Sequence, residues 1–287
     1  MIQFANGFRL PTAPTSIEKG ANLSSLLDLE AIECLAHNIS QIHPEFPSPA
    51  FRKAARKAVV GLGVMNRGIA LAGALRDFLP QRFEDAARIL TDSLGPTLEE
   101  SSGLGLSSFF YLPHGKFIAL YGVDAKFNAG KDPFETAMRA QYEITQRFTA
   151  EFSMRPFLIH HTERTLKKLM EWTRDPDPHV RRLCSEGSRP RLPWAERLQM
   201  FVKDPAPVLP ILEALKDDED LYVRRSVANH VGDIAKDHPA LAMEICRSWL
   251  KGASPERHWV IRHAVRHPAK KGHPVALELR QLAARKR

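Results

Sequence analysis

Arginine follows closely on a valine in three strings of the C-terminal half, His179–Gly187 (HVRRLCSEG), Tyr222–His230 (YVRRSVANH) and Trp259–His267 (WVIRHAVRH). Guanidinium groups presented in succession suit phosphates, because the planar fork matches a phosphate edge and keeps its charge at any physiological pH. Six residues beyond the aligned valines Val180, Val223 and Val260 stand three different polar groups, Glu186, Asn229 and Arg266. A carboxylate facing nucleic acid costs electrostatic energy. Glu186, and Asp233 one turn beyond Asn229, therefore read in two ways: as salt-bridge partners that hold Arg182 and Arg225, or as groups with a task of their own. Between the first two strings lies Ser185–Trp194 (SEGSRPRLPW), in which Arg189 and Arg191 surround Pro190 and Pro193. Restricted backbone plus forked donors is an arrangement suited to gripping phosphates. Trp194 reads either as a stacking or wedging residue or as a helix-start aromatic packed in the core.

The elements that must position these groups are helices. The aligned valines are about 43 and about 37 residues apart, the period of stacked helical hairpins. On Tyr222–Lys236, Val223, Val227, Val231 and Ile234 share one side, whereas Arg225, Asn229, Asp233 and Lys236 share the other. In a HEAT-like array the second helix of each hairpin lines the concave surface, so the polar stripe would face a groove; the alternative is a solvated face with i,i+4 pairs. Further helices are expected over Leu26–Ile42, Phe51–Leu62, Ala70–Leu79, Phe83–Leu94, Pro133–Phe152, Thr165–Thr173, Pro193–Val202, Pro207–Leu215, Leu241–Leu250, Glu256–Arg266 and Val275–Ala284. Asp132 should cap the Pro133 helix, and Arg155 with Pro156 should close it. Gly95–Lys131 is the least regular stretch. Sustained strand alternation is absent, which makes the fold class all-α: a HEAT-like repeat solenoid with a concave basic groove. The expected organisation is an N-terminal arm over residues 1–21, a helical part over 22–131, and repeats carrying the site over 132–287, in one continuous domain.

Composition narrows the partners. The 287 residues carry a formal net charge of +8 with abundant carboxylates, a biased surface that favours a polyanion. Cys34, Cys184 and Cys246 are far apart, with no metal-ligand spacing, and read as buried thiols of a reducing compartment. The first residues have neither a basic leader nor a long apolar run, and no stretch reaches membrane-spanning length. A soluble cytoplasmic protein that binds no membrane is expected.

Three longer strings, FTAEFSMRPFL (Phe148–Leu158), DPDPHVRRLCSEGSRPRLPW (Asp175–Trp194) and YVRRSVANHVGDIAKDHP (Tyr222–Pro239), resemble the HEAT-like-repeat DNA glycosylases of alkylation repair, in particular the AlkC branch. The N-terminal half is similar too, at PEFPSPAFRKAA and LPQRFEDAARILTDSLGP. Some members append an immunoglobulin-like module; with its last helix close to Arg287, this chain looks like the shorter form.

The resemblance implies a monofunctional glycosylase that hydrolyses the N-glycosidic bond of alkylated bases of the 3-methyladenine and 3-methylcytosine class in double-stranded DNA. No cofactor or metal is expected, no strand-cleaving lyase step, and a monomer, nucleoid-associated when bound. An N-alkylated base is already a good leaving group, so the enzyme has mainly to stabilise oxocarbenium character on the deoxyribose and position water. The matched strings put the catalytic carboxylates at Glu151, Glu186 and Asp233; Glu143 is a competitor two turns earlier on the expected Glu151 helix. Glu151 and Glu186 would stabilise the sugar cation or orient water, and Asp233 would complete the site. DNA contacts would fall to Arg155, Arg182, Arg189, Arg191, Trp194, Arg225, Asn229 and Lys236, with Trp172 as a further contact. No aromatic cage for a flipped base is apparent. The rival reading is a non-enzymatic repeat scaffold that binds DNA or an acidic protein.

Overall fold

The computed structural model describes residues 1–18, 20, 22–98 and 104–284. The end of the expected arm and part of the irregular Gly95–Lys131 stretch lie outside the described residues. Two compact units divide the chain, Met1–Pro156 and Phe157–Arg287.

The first unit opens with a two-residue antiparallel pair, β1 (Ile2–Gln3) and β2 (Arg9–Leu10), with Ile2 opposite Leu10. Asn38 ties this pair down by accepting from the Arg9 amide at 2.8 Å and donating to the Arg9 carbonyl at 2.9 Å. Six helices follow: α1 (Leu29–Ile42), α2 (Ser48–Ala58), α3 (Val64–Phe78), α4 (Phe83–Asp92), α5 (Leu112–Tyr121) and α6 (Phe134–Thr145). The chain packs α1 on α2, α2 on α3, α3 on α5, and α4 and α5 on α6. Phe51, Phe83, Phe110, Phe117 and Phe134 are buried among them; each such side chain contributes about 1.5–3 kcal/mol through burial.

The long helix expected over Pro133–Phe152 is two helices. Its start is as expected, with Asp132 accepting from the Phe134 amide at 3.1 Å. The first helix ends at Thr145, and α7 (Glu151–His160) begins afresh where the Glu151 amide donates to Thr149 Oγ1 at 3.3 Å. A threonine hydroxyl that satisfies a first-turn amide favours a new start over continuation. Pro156 lies inside α7 and does not close it, although the ring removes one helical hydrogen bond. Glu143 and Glu151 accordingly belong to different helices.

In the second unit the repeat strings become α9 (Pro178–Gly187), α12 (Leu221–Asp237) and α14 (Pro255–Ala264), and α12 packs against both α9 and α14. Packed alongside are α8 (Thr162–Trp172), α11 (Leu209–Leu215), α13 (Pro239–Trp249) and α16 (Pro274–Ala284), with the short α10 (Gln199–Lys203) and α15 (Arg266–Lys270) as connectors. Val180, Val223 and Val260 are fully buried, which explains why the valine recurs. At Gly232 an added Cβ would meet the Ala264 carbonyl oxygen at 3.3 Å, so glycine permits the close approach of α12 to α14.

The first arginine of each VRR string holds its own turn together. Asp177 caps α9 by accepting from the His179 amide at 2.7 Å, and Asp220 caps α12 by accepting from the Tyr222 amide at 2.7 Å. Arg181 Nη1 donates to the carbonyls of Asp175 and Pro176 at 2.9 and 2.8 Å, and Arg224 Nη1 repeats this on Asp218 and Glu219 at 2.6 and 2.8 Å. The other edge of Arg181 reaches the next turn as a fork onto Asp218, at 2.7 and 3.1 Å. These arginines serve the stack, not a ligand. Because the Arg181–Asp218 pair is buried, Arg181→Gln should lower the unfolding free energy by about 3 kcal/mol, as read from urea denaturation. A loss below about 1 kcal/mol, the value of an exposed pair, would contradict this assignment.

Candidate active site

Glu186 and Asp233 meet around one guanidinium. Glu186 stands near the end of α9 and Asp233 in the last turns of α12, and both are buried, at 6% and 2% exposure. From the loop after α9, Arg189 donates through Nε to Asp233 Oδ2 at 2.8 Å and through Nη1 to Glu186 Oε1 at 2.7 Å. Arg182, one turn earlier on α9, approaches Glu186 Oε1 at 3.4 Å and lies over the Tyr222 ring, 5.1 Å from its centroid. Ser226 Oγ donates to Glu186 Oε2 at 2.6 Å, and Lys236 Nζ donates to Asp233 Oδ1 at 2.7 Å. Burial alone would push the Glu186 carboxyl up. Arg182, Arg189 and the Ser226 hydroxyl more than offset this and hold it below the usual carboxylate range, so it is ionised at neutral pH.

Beneath the pair, His230 is fully buried and its Nδ1 donates to the Ser185 carbonyl at 3.0 Å. A carbonyl only accepts, which places the proton on Nδ1. The bond joins α12 to α9 one residue from Glu186 and three from Asp233, fixing the register of the two carboxylates. Burial, outweighing the nearby Asp233, pushes His230 down to about 4, so it is neutral at pH 7.

Several expected DNA contacts are otherwise engaged. Arg189 is buried between the two carboxylates, a bridge and not an exposed phosphate grip. Arg191 forks onto Asp237, Nε at 2.6 Å and Nη2 at 2.5 Å. The expectation that Asp233 holds Arg225 fails because the two are eight residues apart, two helical turns or about 12 Å along the axis. Arg225 is instead exposed, as is Lys236 apart from its bond to Asp233. Asn229 is half-buried and accepts from Arg266 Nη2 at 2.9 Å.

Trp194 departs from the expected helix start. The helix expected over Pro193–Val202 is reduced to α10, because Leu192 and Leu198 are buried anchors and the Leu198 amide turns back to the Pro190 carbonyl at 3.1 Å. Between these anchors Trp194 has φ 62° and is 62% exposed. A left-handed backbone at a bulky side chain is strained and clusters at functional sites. The core reading of this indole is thereby excluded.

Glu151 lies in the first unit at the first position of α7, 7% exposed, and accepts from Thr149 Oγ1 at 2.6 Å. Arg155, one turn on, is the largest fully buried side chain among the described residues. Trp172, at the end of α8, is half-buried. Ser226 and His230 were not singled out by residue type. The repeat register is the signal that finds Ser226: it stands three beyond its valine and bonds Glu186, six beyond the valine of the preceding repeat. All three cysteines are buried thiols, with burial pushing Cys34 and Cys246 up to about 12. Among the described residues, no helix is long and apolar enough to cross a membrane.

Stacked helical hairpins that bury two carboxylates on a shared arginine define an all-α helical-repeat protein with a buried carboxylate pair in a basic chain. No family model matches the sequence. It is similar to the uncharacterized protein YhaZ of Bacillus subtilis (strain 168), 36% identical over 260 residues that make up 90% of this chain and 68% of that protein. Among solved structures it is similar to the Pseudomonas fluorescens alkylpurine DNA glycosylase AlkC bound to DNA containing an abasic site analog. That likeness has a TM-score of 0.78 and 34% identity, and covers 92% of this chain and 69% of the other. The chain belongs to the AlkC family of alkylpurine DNA glycosylases.

The buried neutral histidine carries a pH dependence. Below the ordinary histidine value of 6.5 the unfolded chain binds a proton that folded His230 refuses down to about 4, so stability falls as pH drops through that window. Unfolding free energies measured by urea between pH 7 and pH 4 should show this slope, less steep in His230→Gln. An unchanged slope in the variant would contradict the assignment.

Proposed function

We propose that the protein is a monofunctional DNA glycosylase that hydrolyses the N-glycosidic bond of alkylated bases, of the 3-methyladenine and 3-methylcytosine class, in double-stranded DNA. The observation that carries this reading is the buried Glu186–Arg189–Asp233 cluster in a chain of the AlkC family. Heterolysis sends the bonding electron pair to the cationic base, which departs neutral, and leaves an oxocarbenium on the deoxyribose. Water adds to that carbon and loses a proton, leaving an abasic site and the free base. Fixed negative charge in a buried setting favours the cationic transition state.

Glu186 is suited to electrostatic stabilisation, since three donors already fix its two oxygens. Asp233 accepts from Arg189 and Lys236 and retains acceptor capacity for a water or a sugar. Glu151, the third carboxylate of the reading, is proposed to stabilise the sugar cation or to orient the attacking water and take up its proton. Arg182, Arg225, Asn229 and Lys236 are proposed DNA contacts, with Trp194 stacking on a base or wedging into the duplex; Arg155, fully buried, is not proposed as a direct contact, and Arg189 and Arg191 act through the carboxylates they hold. Lys236 bonds Asp233, and that bond suits electrostatics better than attack on the sugar, so no lyase step is proposed.

The ion pairs also suit a scaffold in which Glu186 and Asp233 merely brace the stack. The two readings separate on methylated duplex DNA, with released bases quantified by chromatography. Glu186→Gln and Asp233→Asn should each lower the single-turnover rate about 100-fold or more while leaving affinity within a few-fold. Base release at the wild-type rate, or none by the wild-type protein above the spontaneous rate, would overturn the enzymatic reading.

A further inference from the structure

The bond between Ser226 and Glu186 has a counterpart one repeat further on. His263, three beyond Val260, meets Asn229, six beyond Val223, with Nε2 to Oδ1 at 3.2 Å. The position six beyond the valine is thus carboxylate in the first repeat, amide in the second and guanidinium, Arg266, in the third. Arg266 donates through Nη2 to Asn229 Oδ1 at 2.9 Å and through Nη1 to the His263 carbonyl at 2.6 Å. These bonds fix the guanidinium plane, and of its five N–H donors three are left over. His263 is itself fixed by stacking on Trp259, with centroids 4.8 Å apart and planes 13° apart.

Cations collect around this third step without carboxylates paired to them among the described residues. Arg225 is exposed on the polar stripe of α12, and His267 and Lys270 are exposed on α15, which packs against α12. None of Arg225, Arg266, His267 and Lys270 forms an ion pair among the described residues. By contrast, Arg181, Arg182, Arg189, Arg191 and Arg257 each meet a carboxylate. The crowding shows in the titration of the group. Burial and then Arg266, Arg225 and His267 push His263 down to about 4; burial and then Arg189 lower Arg266 against the opposing pull of Asp233. Burial, Arg266, Lys236, Lys270 and Lys271 lower His267. Like charges held together with no directly paired carboxylate among the described residues favour an incoming anion.

We propose that Arg225, Arg266, His267 and Lys270 form a phosphodiester-binding site for the DNA backbone, beside the carboxylate pair, with His263 and Asn229 positioning Arg266. The proposal rests on the reading of the protein as a DNA glycosylase and adds Arg266, His267 and Lys270 to the expected contact Arg225. A phosphate on the third step and a sugar at the first would set the duplex in one register. Backbone contacts of this kind carry no sequence preference.

The test uses the full chain and a fluorescent duplex with a tetrahydrofuran abasic analogue, titrated between 50 and 200 mM salt, values that span the usual range for counterion release. Lys270→Gln removes an exposed charge that makes no side-chain hydrogen bond among the described residues, and Arg266→Gln removes the fixed guanidinium. Each should reduce the magnitude of the log–log salt slope by about 0.9 and weaken binding several-fold at the higher salt. Arg247→Gln, which breaks only an exposed pair with Glu278, should leave both unchanged. Wild-type slope and affinity in both Lys270→Gln and Arg266→Gln would overturn the site, even where the wild-type protein releases base. Slope losses in a protein that releases no base would support the site and overturn the glycosylase reading instead.

Discussion

The second unit is organised around the Arg189 guanidinium. Two buried carboxylates repel one another and cannot both remain ionised in an apolar setting without a shared counterion. Arg189 meets both, and it does so from a loop whose path is set by two prolines and by the buried side chains of Leu192 and Leu198. Much else follows from that constraint: the register of α9 against α12, the His230 bond beneath, the Ser226 bond across, and the position of Lys236. It also leaves Trp194 at the exposed tip of the same loop, in a conformation that a bulky side chain rarely adopts. One loop therefore serves both the carboxylate pair and the exposed indole.

Charge runs in a definite order along the repeats. The equivalent polar position changes from Glu186 through Asn229 to Arg266, and the first two members each bond a side chain of the next repeat. A solenoid built from one supersecondary unit lets chemistry vary at a fixed place while the valine layer stays constant. Carboxylates suited to a cationic sugar and cations suited to phosphates can then stand at successive steps of one stack.

The helices, the repeat and the in-register polar stripe were legible because hydrophobic periodicity and the recurring valine are local signals. The two carboxylates stood out through the repeat register, but their catalytic reading came only through the matched strings. The partner of Asp233 is 44 residues away in sequence, and nothing local distinguishes an arginine that bridges carboxylates from one that grips phosphate. Arg189 and Arg191 looked like ligand-binding residues for that reason. The break at 146–150 was hidden because helical spacing continues through it, whereas the event that restarts the helix is a single threonine hydroxyl. Trp194 was ambiguous because Pro193 ordinarily opens a helix, and only the buried leucines on either side decide that it does not. Of the third-step cations, Arg225 and Arg266 were visible in the repeat strings, whereas the grouping with His267 and Lys270 was not: its significance lies in the lack of directly paired carboxylates among the described residues, which spacing along the chain does not reveal.

The central claim is that fixed negative charge at Glu186 and Asp233 favours a cationic sugar. The most direct measurement compares the affinity of the protein for two duplexes, one with a cationic pyrrolidine abasic analogue and one with its neutral tetrahydrofuran counterpart. The account predicts at least about tenfold tighter binding of the cationic duplex, a difference of about 1.4 kcal/mol, largely abolished in Glu186→Gln and Asp233→Asn. Equal affinity for the two duplexes in the wild-type protein, or a preference that survives both substitutions, would contradict it.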